Sequence, residues 1–124
     1  VLLSVCQEDL EEALPLVQRF YRLGFNIEAT TGTAHYLKEH GIRTRIKKDY
    51  TEDPADITAA MRSGKVAYLI NPRDPSSAAH VTAGVEMRRL AIENNLTTFT
   101  SLDTVRALLD VLEAISSRIS TIDG

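Results

Sequence analysis

Short apolar segments rich in β-forming residues alternate along this chain with longer segments whose apolar residues recur at helical spacing. The strand-like segments are residues 1–6, 25–29, 42–46, 66–70 and 97–100. Strands that alternate with helices pair in parallel, because each helix carries the chain back to the edge of the sheet from which it came. The pattern therefore predicts an α/β fold, with three α/β/α layers and a mostly parallel five-stranded sheet of the Rossmann or flavodoxin-like kind. Segment 66–70 has the strongest strand propensity, so we expect it to be central.

The helix boundaries depend on a few residues. In the first helix, Pro15 either kinks the helix or marks its true first turn. We expect Asp56 to cap the third helix and Ser101 to cap the fifth. The fourth helix is expected to begin at Val81 or Gly84.

Composition and charge narrow the classes of function. The sequence carries 17 acidic and 14 basic residues, a net charge of −3 at pH 7, so it offers no basic surface for nucleic acid. No apolar run approaches the roughly 20 residues of a membrane span, and we expect neither a membrane nor a nucleic acid as partner. Cys6 is the only cysteine, and we interpret it as a reduced, buried core residue of a cytoplasmic protein.

The length of 124 residues suits a single domain. We place that domain at residues 1–117 and expect a frayed tail at 118–124. Val1 already lies within a strand-like segment, which indicates a piece of a longer polypeptide. Function is then expected to belong partly to that parent, and a homo-oligomer is left open.

The motif Ala29-Thr30-Thr31-Gly32-Thr33-Ala34 turns the second strand-like segment directly into a helix. Its hydroxyls flank one glycine, so the backbone can approach an anion while unpaired N–H groups and the positive end of the helix dipole point at it. We therefore predict a phosphate site at this loop. The structural alternative is that the threonines are ordinary N-caps and that the glycine merely fits a tight turn.

Two further loops are expected near this motif. Ligands of parallel sheets bind beyond the carboxyl ends of the strands. The loop containing Lys47 and Lys48 follows the third strand, and the loop that begins at Asn71 follows the fourth. The sequence therefore predicts that three loops converge on one edge of the sheet.

Several short segments, each weak alone, occur here together. They are Leu3-Ser4-Val5, Gly24-Phe25, the threonine motif, Gly64-Lys65, Leu69-Ile70-Asn71, Arg88-Arg89 and Thr100-Ser101-Leu102-Asp103-Thr104. On these segments the chain resembles the methylglyoxal-synthase-like domain family over nearly its whole length. Within that family it is most similar to the C-terminal allosteric domain of carbamoyl phosphate synthase large chains.

This resemblance implies a regulatory domain, without catalytic residues or cofactors of its own, that binds a nucleotide monophosphate such as UMP or IMP. ATP and Mg would belong to the parent, a glutamine-hydrolysing ligase of pyrimidine or arginine biosynthesis. Its synthetase domains and glutaminase small chain would be the partners. Thr30, Gly32 and Thr33 fall on the family's phosphate-loop positions, and Asn71 falls on the position that touches sugar or base. The full set of candidate effector-binding residues is Thr30, Thr31, Gly32, Thr33, Lys48, Asn71 and Arg73.

The sequence departs from the family at residues that would bind the effector. Leu10 and Asp49 stand where the family has phosphate-binding lysines, and Lys48 is the expected substitute. Pro72 replaces a threonine that commonly follows the asparagine, and Ala83 replaces an acidic residue that binds ribose. We therefore expect UMP to bind weakly or not at all, and a parent that is insensitive to pyrimidines, such as one serving arginine synthesis.

A methylglyoxal synthase, a lyase that acts on dihydroxyacetone phosphate, is the rival interpretation. His80 falls near that enzyme's histidine, but the positions expected to supply carboxylate bases read Pro54 and Ala83, so we expect no turnover. The cyclohydrolase domain of purine synthesis ranks below it, because its Lys-Thr-Leu-His-Pro stretch is missing. His35 and His40 lack the i, i+4 spacing of a helical zinc site, and we predict no metal.

Overall fold

The computed structural model describes residues 1–73 and 77–123, with side chains as far as residue 118. Its strands are β1 (Leu2–Leu3), β2 (Ile27–Thr30), β3 (Thr44–Lys47), β4 (Tyr68–Ile70) and β5 (Thr97–Phe99). They form a five-stranded sheet in the order β3-β2-β1-β4-β5, and every pair is parallel. The predicted α/β/α fold is confirmed. The middle strand is β1 rather than β4, because the chain winds outward from β1 in both directions.

Five helices connect and follow these strands in the described residues. They are α1 (Leu10–Arg22), α2 (Thr31–Glu39), α3 (Pro54–Arg62), α4 (Ala78–Glu93) and α5 (Leu102–Asp123), and a 3₁₀ turn, Gln7–Asp9, precedes α1. Pro15 lies inside α1, on its exposed side, where water can hydrate the carbonyl group that the proline leaves without a partner. The predicted cap of α5 is confirmed, since Ser101 Oγ accepts hydrogen bonds from Asp103 N at 3.2 Å and Thr104 N at 3.5 Å.

Two helices begin earlier than the sequence suggests. Asp53, not Asp56, caps α3, because its Oδ1 accepts a hydrogen bond from Ala55 N at 3.1 Å and Pro54 suits the first helical position. Asp56 Oδ2 instead accepts a hydrogen bond from Lys48 N at 2.7 Å. The fourth helix begins at Ala78, where the hydroxyl of the preceding serine caps it.

The sheet is covered on both faces, and its strands are buried accordingly. Leu3 and Ile70 belong to a core that α1, α2 and α5 cover, with Phe20 at its centre and fully buried. Leu2 and Leu69 belong to a second core that α3 and α4 cover. Adjacent residues of a strand point to opposite faces, so near-continuous apolar strands are what a sheet buried on both sides requires.

The order of the strands fixes where a ligand can enter. Two β-α units run from β1 towards β3, and the chain then crosses β1 to build β4 and β5 on the other side. The connections leaving the carboxyl ends of β1 and β4 therefore run to opposite faces and leave a crevice between them.

Three expectations need correction or qualification. Cys6 is not a buried core residue: it is half-buried, and its Sγ donates a hydrogen bond to Asp9 Oδ2 at 3.1 Å, because β1 has already ended and the chain is turning into the 3₁₀ helix.

Residues 74–76 of the loop after β4 lie outside the described residues. So do Gly124 and the side chains of 119–123 in the tail expected at 118–124, so the boundary at residue 117 stays a prediction. Within the described ranges, no helix has both the length and the apolar character needed to cross a bilayer.

Candidate functional site

A cavity of about 320 Å³ opens at the carboxyl ends of β1, β2 and β4, and we call it the first cavity. Its described lining is Ser4, Val5, Cys6, Gln7, Glu8, Thr30, Gly32, Thr33, Asp49, Asn71, Pro72, His80, Ala83 and Met87. The three loops predicted to converge all contribute to it. Sequence reasoning missed the contributions of residues 5–8, although the rule that ligands bind beyond strand ends applies equally to β1. His80 and Ala83 of α4 entered the sequence analysis only through the family resemblance.

The start of α2 forms one wall of the first cavity. Thr30 ends β2 with an extended backbone, φ −65° and ψ 159°, and the helix begins at Thr31 without a side-chain cap. The first N–H groups of a helix have no acceptor within it, and those of Gly32 and Thr33 belong to residues that line the cavity. A Cβ built on Gly32 meets no protein atom within 4 Å. Packing therefore does not explain the glycine, whereas an accessible backbone at an anion site would.

The threonine hydroxyls have a different role from the one the motif suggests. Thr33 is buried, and its Oγ1 accepts a hydrogen bond from Val5 N at 3.0 Å and donates one to Val5 O at 3.1 Å. Thr30 Oγ1 lies 3.4 Å from both Thr33 Oγ1 and Ser4 Oγ. These contacts fasten the loop after β2 to the end of β1. The backbone N–H groups, rather than the hydroxyls, remain available to a ligand.

Asn71 is likewise held by the protein. Its Nδ2 donates to Ser4 O at 2.9 Å, its Oδ1 accepts from Arg88 Nη1 at 2.8 Å, and its backbone N donates to Phe99 O at 2.9 Å. The residue is buried; its side chain connects the end of β1 to α4, and its backbone connects the ends of β4 and β5. A ligand in the first cavity would meet an amide that is already fixed in orientation, which suits recognition of a sugar or base.

The remaining candidates are not in the first cavity. Thr31 is half-buried, and its hydroxyl lies 3.5 Å from Lys47 O, a marginal contact. Lys48 is exposed and does not line this cavity, whereas its neighbour Asp49 does. Arg73 is exposed and lines two other depressions. The structure therefore brings Thr30, Gly32, Thr33 and Asn71 together and leaves Thr31, Lys48 and Arg73 outside.

The charge of the first cavity is unexpected for a phosphate site. Glu8 and Asp49 are both in its lining, and its described residues include no lysine or arginine. Asp49 Oδ1 accepts hydrogen bonds from Thr51 N at 3.0 Å and Thr51 Oγ1 at 3.1 Å, which holds this carboxylate in a turn. With no lysine or arginine in the described lining, the positive end of the α2 dipole is the source of attraction for an anion.

Leu10, the residue aligned with a family lysine, is a core residue. Its side chain is buried against the face of the sheet that α1 covers. Leu10 therefore does not line the cavity, whereas Gln7 and Glu8 do. Pro72 and Ala83, the other two departures from the family, do line the cavity and make that part of it less polar.

Metal ligation has no support in the described residues, where no three His, Cys, Asp or Glu side chains converge. His35 is exposed, and so is His40, whose Nδ1 lies 2.8 Å from Tyr36 O.

Comparison with known proteins agrees with this geometry. The model of the MGS-like domain matches residues 12–100, which include β2 to β5, the start of α2 and Asn71. A match over most of the chain, together with the observed parallel sheet, establishes the family. The chain belongs to the MGS-like domain family.

Proposed function

We propose that this chain is an allosteric domain that binds a small phosphorylated effector in the first cavity, with the phosphate at the start of α2. The supporting observation is the open backbone at Gly32, where residues of the first helical turn line a cavity and no packing constraint requires a glycine. A volume of about 320 Å³ lies within the range of small-molecule sites. The fixed amide of Asn71 would then contact the sugar or base of a nucleotide monophosphate such as UMP or IMP.

The parent in this proposal is the large chain of a cytoplasmic carbamoyl phosphate synthase. The MGS-like family includes such allosteric domains, which act on ATP-dependent synthetase domains elsewhere in the same chain. The absence of lysine and arginine from the described lining favours weak nucleotide binding, because a phosphate dianion would rely on backbone dipoles alone. A parent insensitive to pyrimidines, as in arginine synthesis, fits that expectation.

Substitution at Gly32 provides a sharp test. Gly32→Asp would place a carboxylate at the N–H groups that are to bind phosphate, at a helix start where aspartate is tolerated. Gly32→Ala is the matched control, since a Cβ there has open space. We expect UMP, IMP and inorganic phosphate to shift the amide resonances of Gly32 and Thr33 in the original chain. The shifts should persist in the alanine variant and disappear in the aspartate variant, and unchanged binding by Gly32→Asp would contradict the proposal.

A lyase remains the second candidate because of one observation. His80, Asp49 and Glu8 line the same cavity as the phosphate-binding backbone, so carboxylates are present although Pro54 and Ala83 replace those expected from the family. A carboxylate near a bound triose phosphate could accept a proton from carbon. Incubation with dihydroxyacetone phosphate decides between the two functions. Formation of methylglyoxal that is lost in Asp49→Asn would establish the lyase, whereas effector binding without turnover would support the allosteric domain.

A further inference from the structure

A second cavity, of about 270 Å³, lies between the loop after β4 and α4, and we call it the arginine cavity. Arg73 contributes from the loop, and Gly84 and Arg88 contribute from the helix. No aspartate or glutamate occurs among the described residues that line it. The described lining of the arginine cavity is thus opposite in charge to that of the first cavity, with which it shares Asn71 and His80.

Arg88 occupies an unusual environment for an arginine. It is half-buried, and the bond from its Nη1 to Asn71 Oδ1 is to a neutral amide. Burial lowers its pKa, and the positive charge of Arg73 lowers that pKa further. The adjacent Arg89 is more exposed yet forms ion pairs with Glu86 and Glu93 at 2.7 and 2.6 Å. Within the described part of the chain no carboxylate forms an ion pair with Arg88 or Arg73, so the described lining of this cavity holds two like charges and no counter-charge.

Gly84 makes room for the Arg88 guanidinium. A Cβ at Gly84 would lie 2.9 Å from Arg88 Nη1 and 3.4 Å from both Arg88 Nη2 and Asn71 Oδ1. The missing side chain lets the guanidinium fold back along α4 to Asn71. Because one N–H of Nη1 is bonded to this amide, the remaining N–H donors of the Arg88 guanidinium are available for a second acceptor.

We propose that Arg73 and Arg88 bind a phosphate group, as inorganic phosphate or a phosphate monoester, in the arginine cavity. Two guanidinium groups supply two positive charges, which match a phosphate dianion, and guanidinium N–H groups suit phosphate oxygens. An anion there also relieves the repulsion between the two arginines. This site does not rest on the proposed function, because it uses a different cavity and none of the N–H groups at the start of α2.

The experiment is a titration of the chain with inorganic phosphate and, separately, with UMP, followed by amide NMR. Gly84 and Val85 report the arginine cavity, and Gly32 reports the first cavity. Arg73→Gln is the main variant, since Arg73 is exposed and its loss leaves the bond from Arg88 to Asn71 intact.

Arg88→Gln is the second variant and Arg89→Gln the matched control on the same helix. We expect each of the two cavity variants to weaken phosphate binding at Gly84 roughly tenfold or more, on the scale of one charge-assisted hydrogen bond, and Arg89→Gln to leave it unchanged. Tighter binding of inorganic phosphate would identify the free ion as the ligand, and tighter binding of UMP would identify a monoester. The proposal would be overturned by the absence of any shifts, by wild-type affinity in Arg73→Gln, or by shifts confined to Gly32. Shifts confined to Gly32 would still support the proposed function.

Discussion

The hydroxyl of Thr33 should contribute more to folding than to ligand binding, and one substitution tests this. Thr33→Val keeps the shape of the side chain but removes the group that bonds both the N–H and the carbonyl of Val5, at 3.0 and 3.1 Å. Both backbone groups are in buried contacts, and an unsatisfied buried group costs about 1–3 kcal/mol. Because water from the neighbouring cavity can hydrate one of them, one group stays unsatisfied, and we expect a loss of about 1–3 kcal/mol in the free energy of unfolding.

Thr31→Val is the matched control, the same substitution two positions away in the same turn. Its hydroxyl makes only a 3.5 Å contact, so the cost should stay below about 0.5 kcal/mol. Thr33→Ser keeps the hydroxyl and loses one methyl group, so its cost in the free energy of unfolding should be about 1 kcal/mol. Urea denaturation would give the three values, as shifts of the midpoint at a constant m-value. If Thr33→Val costs no more than Thr31→Val, then the hydroxyl does not fasten the loop to β1.

Four other substitutions should separate the effects of packing from those of charge. Leu10→Lys should destabilise the fold by about 2–4 kcal/mol in urea denaturation, because it puts an amine into the core. Glu8→Lys should fold normally and raise the affinity for phosphate at the first cavity roughly tenfold. Equal stabilities of the two variants would contradict the burial of Leu10. Gly84→Ala should change stability by less than about 1 kcal/mol, since improved helix propensity offsets the displaced guanidinium, but should weaken phosphate binding in the arginine cavity. A hydrogen bond from Arg19 lowers the pKa of Glu113. The pair therefore stabilises the fold at pH values above the usual pKa of glutamate, and this contribution is lost as the pH falls through the lowered pKa. Acid titration of stability should therefore be flatter for Glu113→Gln, and identical curves would contradict the pairing.

The fold was predictable because the signals that specify it are local. Apolar periodicity distinguishes strands from helices, and alternation of the two implies a parallel sheet. The position of Thr30 and Asn71 at one edge follows from the same rule, since both stand at the carboxyl ends of interior strands. What the rule does not give is the middle strand, because propensity describes a segment and the order of strands depends on how the crossovers wind.

The direction in which single side chains point could not be predicted. Successive residues of a helix are turned by about 100° and those of an extended segment by about 180°, so a shift of one position moves a side chain from a cavity to the core or to solvent. The 3₁₀ turn Gln7–Asp9 sets the phase of α1, and Leu10 consequently faces the core while Glu8 lines the cavity. In the same way Asp49 faces the cavity and Lys48 does not. Similarity to a family identifies the position along the chain but not this phase.

The opposite charges of the two cavities imply opposite responses to salt. Glu8 and Asp49 line the first cavity, and both carboxylates repel a phosphate bound there. The start of a helix returns at most about 2 kcal/mol, so phosphate binding at Gly32 should be weak in dilute buffer and should improve, or fall least, as salt screens the carboxylates. At Arg73 and Arg88 the attraction itself is screened, and binding at Gly84 should weaken steadily. Phosphate titrations at low and high sodium chloride, followed at the amides of Gly32 and Gly84, would therefore separate the two sites by the sign of their salt dependence. Parallel changes in affinity at both glycines would show that the carboxylates do not govern binding in the first cavity.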